Sequence, residues 1–112
     1  MRYTIFMRLP PDTIIATSKL MDYLLAPGTR NDKSKWLAQA DYTVSNWQQL
    51  ERDLRQQVMP LEAELDEINQ YGNVYRIEAE LAGPNGRALP VVTIWMTEHE
   101  TEQTKFITLY PQ

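Results

Sequence analysis

The stretch Gln70-Tyr-Gly-Asn-Val-Tyr-Arg-Ile-Glu-Ala-Glu-Leu-Ala-Gly-Pro-Asn-Gly86 decides how the rest of the chain is read. Tyr71-Gly72-Asn73 is turn chemistry, because glycine adopts backbone angles closed to other residues. From Val74 the pattern has period two: Tyr75, Ile77, Ala79 and Leu81 point one way, and Arg76, Glu78 and Glu80 the other. That is a half-buried strand. Gly83-Pro84-Asn85-Gly86 forms a second turn, whose Asn-Gly pair is a strong short-range hairpin signal.

Downstream, Leu89 to Met96 is nearly all apolar, which predicts an interior strand covered on both faces, with Pro90 near its start or at a bulge. Thr97 to Thr104 is a charged connection holding Glu98, His99, Glu100 and Glu102. Lys105-Phe-Ile-Thr-Leu-Tyr110 is the last strand.

Upstream, Leu61 to Ile68 fits two templates. Leu61, Leu65 and Ile68 recur at helical spacing, whereas Leu61, Ala63 and Leu65 alternate with Glu62, Glu64 and Asp66. The glycine turn that follows favours the strand, as the first arm of a hairpin. Before Pro60 the periodicity is helical. Ser45 and Gln48 make a capping-box pattern, and Trp47, Leu50, Leu54 and Val58 form one apolar stripe behind it. Glu51 and Arg55 add an i,i+4 pair worth ~0.3 kcal/mol.

Further back, Ser18 is placed to cap a helix carrying Leu20, Tyr23 and Leu24, closed by Ala26-Pro27-Gly28. Asn31 or Asp32 caps a second short helix through Trp36 to Ala40, which Asp41-Tyr42-Thr43 breaks. At the start, Tyr3, Ile5 and Met7 alternate with Thr4, Phe6 and Arg8, which suggests a short strand or an extended arm, until Pro10-Pro11 stops any regular element.

The expected fold is α+β over one domain, residues 1–112. N-terminal helices (17–59) pack on a C-terminal antiparallel meander of three to four strands (61–111), preceded by an extended arm (1–16). A sheet of that size must bury one face, and the helices supply the cover. At 112 residues and 43% apolar content the chain suits one core.

Composition narrows the function. There is no cysteine, so neither disulfides nor thiolate metal sites arise. No apolar run has the length of a membrane span or the form of a secretory signal, so a cytoplasmic protein off the membrane is expected. The net charge of −4 is uneven: residues 1–60 hold eight Lys/Arg against six Asp/Glu, and residues 61–112 hold three against nine. The acidic total weighs against a broad nucleic-acid surface, which needs clustered cations, but leaves room for a local basic site.

Two groups of residues carry that site. Lys33 and Lys35 follow Arg30 on a polar loop that runs into a helix. With Asn31 and Ser34 they read either as a phosphate or RNA-backbone site or as a solvated cap. Arg76, Lys105, Thr108 and Tyr110 are strand residues that would converge on one sheet surface. Together with the lysines they offer the base, acid and cation that a metal-independent ribonuclease needs.

The other conspicuous residues have simpler readings. Tyr75 shares a face with Ile77 and Leu81 and reads as core, as do Trp36, Trp47 and Trp95. His99 among glutamates reads as a surface loop, and Glu62, Glu64, Asp66 and Glu67 as a solvent face. There is neither a phosphate-binding glycine loop nor a nucleophile elbow. No cofactor and no metal is expected.

Four blocks stand out together: Asn31-Asp-Lys-Ser-Lys-Trp-Leu-Ala-Gln-Ala40; Tyr71-Gly-Asn-Val-Tyr75 with Gly83-Pro-Asn-Gly86; Val91-Val-Thr-Ile-Trp-Met96; and Lys105-Phe-Ile-Thr-Leu-Tyr-Pro111. In this order and spacing, over residues 17–111, the chain resembles a family of small bacterial proteins, common in cyanobacteria, catalogued as domain of unknown function 6883. The resemblance implies a compact cytoplasmic protein, often encoded beside another very small protein, an arrangement similar to toxin–antitoxin pairs. The order of helices then meander is also similar to the metal-independent ribonuclease superfamily that includes barnase, EndoU and RelE. That likeness is one of fold, and fold does not fix function.

The leading expectation is a protein that acts through a small protein partner, as one member of a toxin–antitoxin-like pair. One alternative is a metal-independent ribonuclease with Lys33, Lys35, Arg76, Lys105, Thr108 and Tyr110 as catalytic candidates. Another is a non-catalytic structural or regulatory binding module. An exposed edge strand would also allow a sheet-extending homodimer.

Overall fold

A computed structural model describes residues 6–27 and 33–112. Five strands form one antiparallel sheet in sequential order: β1 (Phe6–Met7), β2 (Ala63–Ile68), β3 (Gly72–Ala82), β4 (Ala88–Glu98) and β5 (Thr104–Pro111). Between β1 and β2 lie a π-helical segment Lys19–Leu24, helix α1 (Lys33–Ala38), a 3-10 turn Val44–Asn46, helix α2 (Trp47–Asp53) and its π-helical continuation Leu54–Val58.

The α+β class holds, but the sheet has five strands where three to four were expected. The additional strand comes from the segment read as a short strand or an extended arm, and is a strand at Phe6–Met7. Phe6 pairs with Glu64 and Met7 with Ala63, so the helical part is an insertion between the first two strands. The alternation of Tyr3 and Ile5 lies outside the described residues.

The β3–β4 hairpin is the spine of the sheet, paired without a break from Gly72 opposite Glu98 to Ala82 opposite Ala88. Its turn has three residues, Pro84, Asn85 and Gly86. The Gly86 N–H donates to Gly83 O, and the Gly83 N–H to Arg87 O, each at 2.9 Å. Gly86 has φ +83°, the left-handed conformation that closes such a loop into the twist of the strands. The turn is also clamped to the helical part: Asn85 Nδ2 donates to Gln39 O at 2.9 Å. A Cβ on Gly83 would lie 2.2 Å from Ala40 O, so only glycine fits.

Within the ambiguous stretch 61–68, Ala63–Ile68 is strand. Asn69 Oδ1 accepts the Tyr71 and Gly72 N–H groups at 2.8 and 3.2 Å, which turns the chain back into β3. Ile68, which a helical stripe would bury, is 65% exposed.

Cross-strand rows build the core. Tyr75, Trp95 and Phe106 stand side by side, as do Ile77, Thr93 and Leu109, and then Leu81 and Leu89. An extra residue, Ile107, lets Phe106 and Leu109 stay in phase with β4. Leu20, Leu24, Leu37, Leu50, Leu54 and Val58 of the helical segments are fully buried in the same cluster. Each such side chain contributes about 2 kcal/mol relative to exposure. The buried Thr93 hydroxyl is satisfied: the Trp95 indole N–H donates to Thr93 Oγ1 at 2.8 Å, and Thr93 donates to Ile77 O at 3.0 Å. Trp95 meets Phe106 edge-on, with centroids 5.1 Å apart.

Several local expectations change. Ser18 is itself helical, at φ −61° and ψ −31°, and makes no capping bond with its side chain. The reciprocal cap before α2 sits two residues earlier than Ser45–Gln48. Asn46 Oδ1 accepts the Thr43 N–H, and Asn46 Nδ2 donates to Asp41 O, both at 2.7 Å. The reason is Asp41, whose φ of +68° reverses the chain and presents its carbonyl to Asn46. Gly28, Asn31 and Asp32, read as cap residues, lie outside the described residues. Glu51 and Arg55 do pair, at 3.2 Å.

The expectation that both faces of Leu89 to Met96 are covered is also corrected. Leu89, Val91, Thr93 and Trp95 are buried against the helices. On the other face Val92 is buried, but Pro90 is exposed and Ile94 and Met96 are half-buried. Antiparallel sheets commonly leave one face to solvent. Among the described residues no helix is long and apolar enough to cross a membrane.

Candidate functional site

Strand alternation sorts the sheet residues into two sets. Tyr75, Ile77, Leu81, Leu89, Val91, Trp95, Phe106 and Leu109 belong to the buried cluster beneath the helices. Ala79 and Thr93 share that face, and the residues that alternate with this set face the other way, none of them in the cluster. Across the middle of this second face one row crosses all five strands: Phe6, Glu64, Arg76, Ile94 and Thr108. On one side of it runs Val74, Met96 and Lys105; on the other runs Glu78, Val92 and Tyr110.

Four sequence candidates therefore share a surface: Arg76, Lys105, Thr108 and Tyr110. A fifth, Lys33, reaches it over the β5 edge. Its Nζ donates to Thr108 Oγ1 at 3.2 Å and stands 5.4 Å from the centre of the Tyr23 ring, within cation–π range.

Lys35 is not brought to this group. It lines a separate, mainly apolar cavity of about 400 Å³ with Leu25, Pro27, Ala38, Tyr42 and Val44. The two lysines therefore serve different surroundings, although they are two residues apart. Arg30 and Asn31 lie outside the described residues.

The cations on the sheet face are engaged. Arg76 Nη2 pairs with Glu78 Oε1 at 2.6 Å, and Lys105 Nζ with Glu98 Oε2 at 3.0 Å. The bond from Lys105 holds the Glu98 carboxyl below its ordinary range. Arg76 and Thr108 lie in one row but two strands apart, which sets their backbones about 9.5 Å from each other. Thr108 thus keeps Lys33 as its close cationic neighbour. Carboxylates outnumber cations here: Glu64, Glu67, Glu78, Glu80 and Glu98 against Arg76, Lys105 and, at the β5 edge, Lys33.

Sequence reasoning passed over a buried polar group. The Tyr42 hydroxyl donates to Asp53 Oδ2 at 2.6 Å, and Gln49 Nε2 donates to Asp53 Oδ1 at 3.0 Å. The Tyr42 oxygen also lies 3.1 Å from Ala82 O. Burial, and then the Asp53 carboxylate, push the Tyr42 phenol well above its ordinary pKa. The signal was present, since Asp53 falls one helical turn beyond Leu50, beside the apolar stripe. Tyr42 had been read only as part of a helix break.

The remaining conspicuous residues hold turns and core. His99 donates its backbone N–H to Tyr71 O, and its Nε2 is 3.0 Å from Asn69 O, bracing one turn against the next. Glu62, Glu64, Asp66 and Glu67 are exposed, Trp95 is buried, and Trp36 and Trp47 pack partly buried on the core.

Neither a curated protein nor a solved structure matches the chain. A family model does match, over residues 11–112, and the protein belongs to the family it describes, Domain of unknown function (DUF6883).

Proposed function

We propose that this family member works by binding a protein partner in the cytoplasm, as one half of a toxin–antitoxin-like pair. The observation that carries the reading is the state of the cations on the helix-free face: Arg76 and Lys105 are each held by a glutamate within the chain. A cation so engaged is less available to a phosphate, whereas a mixed apolar and acidic face suits a protein surface. The test is to express the chain alone and together with the small open reading frame beside its gene, following growth and co-purification. A growth effect relieved by a co-purifying neighbour supports the pair. Unaffected growth with no co-purification overturns it.

One contact favours a second reading, a metal-independent ribonuclease. Lys33 Nζ is bonded to Thr108 Oγ1 at the end of the row that holds Arg76. In that reading Arg76 balances phosphate charge, and Lys33 with Thr108 handles the leaving oxygen, while Lys105 and Tyr110 position the strand and Lys35, in its separate cavity, takes no part. Purified protein incubated with total RNA, with and without EDTA, decides it: cleavage in both tubes supports it and intact RNA in both sinks it. Failure of both readings leaves a non-catalytic regulatory or structural module.

A further inference from the structure

The helix-free face has a shape and a charge that specify its occupant more closely than the partner reading does, on which this inference rests. Its centre is apolar. Val74, Ile94 and Met96 are half-buried around Val92, which is 2% exposed yet stands outside the main core. Tyr110 lies beside Val92 toward one edge, whereas exposed Phe6 at the other edge is separated from Ile94 by Glu64 and Arg76. Its acidic side lies on β2 and β3, where Glu64, Glu67 and Glu80 are exposed and make no ion pair among the described residues.

We infer that this face docks a cationic protein segment, one that lays an apolar ridge along β4 and sets lysine or arginine side chains against Glu64, Glu67 and Glu80. Charge complementarity selects this occupant over the two obvious others. A second copy stacked face to face would oppose glutamate to glutamate, and an RNA backbone would meet the same repulsion. Docking along the outer edge of β5 is hindered by the chain itself. Ile14 already exchanges backbone bonds there with Thr104 and Phe106, at 2.9 and 2.8 Å, and Pro111 has no N–H to offer.

The experiment titrates the full chain with a synthetic helix of about eighteen residues, five turns long, with leucine on one side and lysine on the other. Backbone amide NMR locates the contact, and a peptide with glutamate in place of lysine is the control. The lysine peptide is expected to shift the amides of Arg76, Ile94, Met96 and Thr108, with affinity falling as salt rises. The triple variant Glu64→Gln, Glu67→Gln, Glu80→Gln should bind about tenfold more weakly, the combined effect of three exposed charge contacts, with its melting temperature unchanged. Shifts confined to the helical segments, equal binding of the glutamate peptide, a dimer formed through this face, or a single-stranded RNA shifting the same amides would each overturn the inference. A neighbour-encoded protein that co-purifies while these amides stay silent overturns the docking face alone. A responsive face with no co-purifying neighbour overturns the paired-gene reading instead.

Discussion

The two faces of the sheet are built from alternate residues of the same strands, yet they obey different rules. Under the helices buried side-chain polar groups are paired, as in the chain from Trp95 through Thr93 to Ile77 O, whereas the Nε of Arg76, on the other face, is buried with no hydrogen-bond partner among the described residues. There a side chain is judged by fit, because an interior as dense as a crystal does not yield to added or missing atoms. On the helix-free face, apolar side chains lie half-covered beside carboxylates. Surfaces of that kind are tolerant in folding and selective in binding. The comparison teaches that from Trp95 to Ile94 one residue of displacement along β4 separates a fully buried position from a half-buried one.

The sharpest way to break the comparison is a pair of substitutions on neighbouring residues. Trp95→Ala should cost ~3–5 kcal/mol of unfolding free energy, through the cavity and the lost edge-on contact with Phe106. Ile94→Ala, one residue away on the other face, should cost about 1 kcal/mol or less. Denaturant titration of both tests this, and equal losses would erase the distinction between the faces.

Next in size is Gly83→Ala, which drives a methyl group to 2.2 Å from a backbone oxygen of Ala40. Overpacking of this kind costs ~1–3 kcal/mol, and it should loosen the hairpin tip from α1. Faster hydrogen exchange at Ala40 and Asn85 would accompany the lower melting temperature.

Tyr42→Phe removes the hydroxyl that Asp53 accepts and should cost ~1–2 kcal/mol at neutral pH. It also changes the alkaline limb. Tyr42 has its pKa raised on folding, so its contribution is fully present below the unfolded value near ~10 and declines as pH rises beyond that. The native protein should therefore lose stability above pH ~10 by up to ~1.4 kcal/mol per pH unit more steeply than Tyr42→Phe. Parallel slopes in the two proteins would contradict the buried phenol.

The smallest effect belongs to Glu98, whose pKa is lowered by Lys105. Its stabilisation is present above the unfolded carboxyl value and disappears as pH falls through the folded one. The pair is exposed, so the acid-side difference between the native protein and Glu98→Gln should be slight and should shrink further in salt.

Much of this architecture is legible in the residues. The alternation from Val74 to Leu81 assigns each side chain of β3 to its observed face, and the Leu50, Leu54, Val58 stripe is buried as its spacing requires. The family resemblance, drawn from blocks in 31–111, agrees with the match over 11–112. What escaped depends on partners distant in the chain. The alternation around Phe6 and Met7 leaves a short strand and an extended arm both open, and only the pairing with Glu64 and Ala63 decides for the strand. The apolar run of β4 could not say that its second face lacks a helix, since cover is a property of the assembled sheet. Lys33 and Lys35 look equivalent on paper, but helix α1 turns one toward Thr108 and the other toward the cavity beside Tyr42.

The central claim is that the helix-free face serves a partner while the opposite face serves the fold. Titration of the lysine-faced peptide into a Glu64→Arg, Glu80→Arg chain tests it most directly, with binding and the melting temperature read on the same sample. The account predicts an unchanged melting temperature and loss of the complex that the native chain forms. A complex that persists undiminished would contradict it.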